Sequence, residues 1–279
     1  MSTQPNSPAL LSAIDPDITD RLVSRRRAIS QGATASGMVL AGLRLASVPT
    51  ALAALSTDAF GQGRLPAAVS GVLNFALTLE YLEAEFYNRG MAAAGLIPSA
   101  DRTIFGTIQA HENTHVSYLQ NALGSRARPK PTFDFTAGGA FPGFAFLPGQ
   151  YETFKALAQA FEDTGVRAYK GQAPTLQPYK DVLQAALTIH SVEARHAAEV
   201  RRLRGNFADN EPTQGWITNN TTDILGTAAV YEGDQNTVHL GINAASVSPS
   251  VAVKEVTEAF DEPLTMAQVL AIVGPFIVS

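Results

Sequence analysis

Apolar positions recur at helical spacing in four segments of the chain. The first runs from about residue 66 to 91, and Pro66 suits an opening helical turn. The second runs from about 99 to 123, with Gly124 as its stop. The third covers about 150–170, closed by Gly171, and the fourth about 178–203, closed by Gly205. Each holds about 20 residues or more, which is roughly 30 Å of helix. The links inside each pair are short: one lies around Gly95 and Pro98, the other over 172–176. Between the pairs lies a long stretch, 124–149, rich in Pro, Gly and Phe. Short links make antiparallel hairpins, and a long link lets the chain cross the length of a bundle.

The expected fold is therefore all-α: an up-down-down-up four-helix bundle over 65–205, with a long crossover between helices two and three. That is the one-crossover topology of ferritin-like folds. Beyond Gly205 the texture changes to Asn, Thr, Gly and Asp, as in Asn219-Asn220-Thr221-Thr222-Asp223. Residues 238–251 read as short strands or irregular structure. Thr265 and Gln268 form a capping-box pattern before a short final helix, 266–273. Residues 206–279 thus read as an irregular extension packed on the bundle, too thin in apolar residues for a core of their own.

Each helical segment carries one metal-ligand signal. The first has Glu80 with Tyr87 seven residues on, and the third has Glu162 with Tyr169 at the same spacing. The second has Glu112-x-x-His115 and the fourth Glu193-x-x-His196. Seven residues is nearly two turns, so each Glu and its Tyr share a face. Three residues leaves Glu and His about 60° apart, so both side chains can converge on one point. Glu80 to Glu162 is 82 residues and Glu112 to Glu193 is 81, so the chain reads as two copies of one hairpin. Leu73, Leu77, Ile108, Leu119, Ala158, Ile189, Ala197 and Val200 share those faces, and a carboxylate in an apolar stripe needs a partner. Facing copies would gather four carboxylates and two imidazoles. That set suits two divalent ions, iron or manganese, with positions left open for oxygen or peroxide. Glu112 and Glu193 are the expected bridges.

Other residues near this set have two readings each. Glu83 is an additional ligand or a rim carboxylate, and its counterpart in the second copy is Gly165. Tyr87 and Tyr169 hydrogen-bond to ligand carboxylates, act as redox-active phenols, or are core aromatics. His111 and His190 are placed to support the site or an interface, and His239 is expected to be structural. The crossover phenylalanines Phe133, Phe135, Phe141, Phe144 and Phe146 are expected to cover the bundle.

The segments Leu73-Asn74-Phe75-Ala76-Leu77-Thr78-Leu79-Glu80-Tyr81-Leu82-Glu83-Ala84-Glu85-Phe86-Tyr87 and Phe161-Glu162-Asp163-Thr164-Gly165-Val166-Arg167-Ala168-Tyr169-Lys170-Gly171 resemble the ferritin-like family that includes desiccation-related plant and bacterial proteins. The segment Glu258-Ala259-Phe260-Asp261-Glu262-Pro263-Leu264-Thr265 is similar to that family too. The resemblance covers roughly 65–205, with scattered matches beyond. It does not settle function, because one fold hosts many activities.

Composition narrows the chemistry. The chain has 279 residues, no cysteine and a formal charge of −5. Disulfides, iron–sulfur clusters, Cys-bound zinc and thiol catalysis are excluded, so any metal sits on His, Asp or Glu. No basic run suggests a nucleic-acid partner. Residues 1–55 read as an export signal: a polar lead, then Ser24-Arg25-Arg26-Arg27-Ala28-Ile29, then an apolar stretch broken by Arg44, then Ala51-Leu52-Ala53. The paired arginines resemble a twin-arginine signal, although Ala28 stands where an aromatic residue is usual. The expected partner is then the twin-arginine export machinery and the expected place extracytoplasmic, with a homo-oligomer left open. The expected activity is oxidation–reduction of oxygen or peroxide by two iron or manganese ions. Two rivals stay open: manganese-catalase-like dismutation of peroxide, and a non-enzymatic stress or desiccation protein with a structural metal.

Overall fold

A computed structural model describes residues 65–205, 214–247 and 250–278. The expected export signal lies outside them. Four long helices form the core: α1 (Ala67–Ala92), α2 (Arg102–Leu123), α3 (Tyr151–Leu176) and α4 (Lys180–Arg204). α1 packs on α2, α3 on α4, and α1 on α3. Cross-bundle contacts fix the directions. Tyr87 meets Glu162 while Glu80 meets Tyr169, so α1 and α3 are antiparallel. His115 meets Glu193 while His196 meets Glu112, so α2 and α4 are antiparallel as well. The result is the expected all-α, up-down-down-up bundle.

The crossover covers one flank. Phe86 stacks on Phe154 at 4.6 Å, and Phe135 and Phe146 close round it at 5.3 and 5.5 Å. Phe133, Phe135 and Phe144 are buried. Phe141 stacks on Phe276 at the far end of the chain. The Asp134 N–H donates to the Phe276 carbonyl at 2.8 Å, so crossover and C-terminus share backbone hydrogen bonds.

One boundary differs from expectation. Gly171 does not stop α3, which continues through Pro174 to Leu176. The physical reason is packing. A Cβ on Gly171 would sit 1.9 Å from the Leu264 carbonyl oxygen, so the glycine lets tail backbone lie against the helix. The expected 172–176 link is thus helical, and the turn falls at 177–179.

The described part of the extension holds β1 (Val238–His239) paired with β2 (Ile242–Asn243), then α5 (Val253–Glu258) and α6 (Met266–Val273). Thr265 and Gln268 form the expected capping box before α6. α6 packs on α3, and Val230 and Tyr231 pack on Ala160. The main fastening is Arg167 on α3, which is fully buried. Its guanidinium donates to the carbonyls of Glu262 (2.6 Å), Glu232 (2.7 Å) and Val230, and lies 3.3 Å from Asp234. Asp163, one turn earlier, pairs with Arg201 and accepts from the Tyr231 hydroxyl at 2.8 Å. His239 stacks on Phe260 at 3.6 Å and approaches Glu262, which makes it part of the extension's own packing.

Burial pushes the Asp261 carboxyl up to about 6, and the Asp234 and Asp163 charges push the same way while Lys170 and Arg167 oppose them. A raised carboxylate pKa means the folded state keeps its proton after the unfolded chain has lost it. Its contribution is full below about pH 4 and fades as pH rises through about 6. Relative to Asp261→Asn, the wild type should lose stability between those values. The side chain is 32% exposed, so the screened loss is on the order of 1 kcal/mol. Denaturant midpoints of both proteins at pH 4, 6 and 8 check this; a constant difference would refute it.

Candidate metal centre

All six expected ligands meet in the middle of the bundle. Glu80, Glu112, His115, Glu162 and Glu193 have no exposed surface, and His196 has 4%. They form two groups: Glu80, Glu112, His115 and Glu193, and Glu112, Glu162, Glu193 and His196. In each group the ligand-capable atoms lie within 4.8 Å of one another. Glu112 and Glu193 belong to both, so each lies within reach of both convergence points.

The crowding round each imidazole is specific. His115 Nδ1 lies 3.2, 3.2 and 3.0 Å from oxygens of Glu80, Glu112 and Glu193. His196 Nδ1 lies 2.8, 3.3 and 3.3 Å from oxygens of Glu112, Glu162 and Glu193. One N–H cannot serve three oxygens. Glu162 Oε2 and Glu193 Oε1 accordingly accept no hydrogen bond despite full burial. Such orphaned acceptors are costly in a dry core, and cations at the two convergence points would satisfy them. The donor set therefore fits iron or manganese: carboxylate oxygens and imidazole nitrogens, with four formal charges to balance two divalent ions.

Protons do part of that balancing without an ion. Burial alone would lower the His115 and His196 pKa values, but the carboxylates around them raise both well above the ordinary range. Burial would raise Glu193, yet the charges of His115 and His196, with a hydrogen bond from His196, hold it well below. Burial dominates at Glu80, pushing it up to about 8, and at Glu162, which is raised as well.

The two tyrosines make the same bond in each half. Tyr87 donates to Glu162 at 2.5 Å, and Tyr169 donates to Glu80. Burial and the adjacent carboxylates raise both phenol pKa values, so the hydroxyls remain donors. Each holds one oxygen of an outer carboxylate and leaves the other for the centre. Glu83 is buried beside the group, and burial followed by the charge of Glu193 and Glu162 raises its pKa well above normal. His111 Nδ1 lies 2.9 Å from His196 Nε2, with the rings stacked at 5.2 Å. His190 Nδ1 instead donates to the Val166 carbonyl at 3.0 Å, tying α4 to α3.

Sequence reasoning missed Arg167 and Asp163. Their signal was a pair of opposite charges one turn apart in the middle of a long helix, where burial demands partners.

Four antiparallel helices that gather four carboxylates and two imidazoles define the ferritin-like class of bundle. Residues 68–206 match the family model of the ferritin-like domain. No curated protein and no solved structure matches the chain significantly.

Proposed function

We propose that the chain is an exported protein that holds two iron or manganese ions and uses them as an oxidoreductase acting on oxygen or peroxide in stress protection. The observation that carries this is the pair of buried groups sharing Glu112 and Glu193, with three carboxylate oxygens round each imidazole nitrogen. Glu80 and Glu162 would hold one ion each from outside. Glu112 and Glu193 would bridge, and His115 and His196 would bind through Nδ1. Bound iron or manganese supplies electron transfer to and from oxygen species.

The chain's own residues do the rest. Tyr87 and Tyr169 fix the outer carboxylates and keep their protons. The apolar faces of the helices exclude bulk water, which strengthens every charge interaction inside. Export rests on the arginine pair and apolar stretch before residue 55. The twin-arginine route carries folded protein, so the metal would be selected before the chain leaves the cytoplasm.

The test is metal analysis of purified protein, followed by oxygen and peroxide electrode assays on iron-loaded and manganese-loaded samples. About two ions per chain with steady consumption supports the reading. Oxygen release from peroxide by the manganese form moves it to catalase-like dismutation. Two ions without turnover leaves a binding or protective protein with a structural metal. No stoichiometric metal removes the proposal.

A further inference from the structure

We propose that the two ion positions are unequal, and that Glu83 joins the position at Glu162 and His196 as an additional carboxylate, making it the tighter and first filled. This rests on the di-metal reading above. The near-twofold relation between hairpins pairs Glu80 with Glu162, Glu112 with Glu193, His115 with His196 and Tyr87 with Tyr169. Among the positions that break it, two lie beside the centre, and both favour the same ion.

The first is Glu83, three residues past Glu80, whose counterpart three residues past Glu162 is Gly165. Glu83 is 3% exposed. One of its oxygens lies 3.1 Å from where a Gly165 Cβ would stand, and Glu193 Cγ lies 3.8 Å from that point. The carboxyl has therefore crossed from α1 to the α3 backbone, into the turn that follows Glu162 and beside Glu193. Gly165 is the vacancy in side-chain volume that admits it. Among the described residues no donor or cation is aimed at this carboxyl; the groups that act on it are Glu193, Glu162, Glu112 and Glu80. A carboxyl buried among carboxylates needs a shared cation or a proton.

The second is His111, four residues before His115. Its counterpart four residues before His196 is Val192, which is buried and apolar. His111 holds the back nitrogen of His196, leaving Nδ1 turned toward Glu112 and Glu162. His115 Nε2 is buried with no hydrogen bond. A held imidazole is a better-oriented and more basic ligand than a free one. His111 is thus a positioning residue for the same ion that Glu83 reaches.

The test is calorimetric titration of the metal-free full-length protein with manganese(II), under anaerobic conditions, with electron paramagnetic resonance at each stage. The wild type should fill in two resolved steps. Glu83→Gln should weaken the first step by about tenfold or more and leave the second in place. Gly165→Ala, which crowds the Glu83 oxygen without removing it, should weaken the same step. Glu80→Gln should weaken the second step instead. Circular dichroism confirms that each variant is folded, and Gln retains the shape of the residue it replaces. Two equal steps in the wild type, or equal weakening of both by Glu83→Gln, overturns the inference while leaving the di-metal reading intact. No uptake by the wild type overturns both.

Discussion

Purified wild-type protein should carry about two iron or manganese ions per chain, and Glu112→Ala/Glu193→Ala should carry none in stoichiometric amount. The expected loss is complete because these two residues are counted twice. Each belongs to both groups of four, so the double variant leaves Glu80 with His115 at one position and Glu162 and His196, with Glu83 beside them, at the other. One imidazole with one carboxylate, or with two, does not complete a coordination sphere for either ion. Stability gives a second readout. An ion that binds only the folded chain stabilises it by about 2.7 kcal/mol at a hundred times its dissociation constant. Chelation should therefore lower the wild-type melting temperature and leave that of the double variant unchanged. Glu112→Gln/Glu193→Gln preserves side-chain volume and separates lost ligands from new cavities. Elemental analysis of folded fractions decides the matter; a double variant that still holds two ions would sink the bridging assignment.

Arg167→Leu should cost about 3–5 kcal/mol and release the extension from the bundle. Arg167 is fully buried and its partners are three tail carbonyls and Asp234. Leucine supplies none of those bonds, so the carbonyls of Val230, Glu232 and Glu262 each lose a donor and the buried Asp234 carboxylate loses its cation. The Leu264 N–H, which bonds to the Arg167 carbonyl, still has its backbone partner, but Leu264 sits on Gly171 only while the tail is pulled in. Limited proteolysis should then cut beyond residue 214 at protease levels that leave the wild type whole. Denaturant unfolding gives the free-energy loss. A variant as stable and as protease-resistant as wild type would show that apolar packing of α6 alone fastens the extension.

The candidate centre was legible because its chemistry is written in spacing. Two Glu-x-x-His pairs and two Glu–Tyr pairs at offsets of 81 and 82 residues leave few ways to fold. The structure brings all eight side chains together. The tyrosines were left between three roles, and their bonds to Glu162 and Glu80 settle where the hydroxyls point. The extension was much less legible. Arg167 bonds to backbone carbonyls up to 95 residues away, and any residue type offers a carbonyl. Gly171 was misread because glycine serves equally as a helix stop and as a point of close approach. α5 has six residues and no strong apolar period, so it left no helical signal to read. The capping box before α6 is local chemistry and was legible for that reason.

The crossed tyrosine bonds bear on how such a chain can arise. Two separate, identical hairpins related by a true twofold axis could form both bonds, since each Tyr reaches the Glu of the other copy. They could not form the fit of Glu83 against Gly165, because one position cannot be glutamate and glycine at once. Two glutamates there would contend for the same space, and two glycines would leave it empty. Only after both hairpins share one chain can the halves drift apart at this position while the ligand and tyrosine pairs stay matched. The paired tyrosines mark what a symmetric ancestor could already do, and the glutamate–glycine pair marks what only the joined chain can.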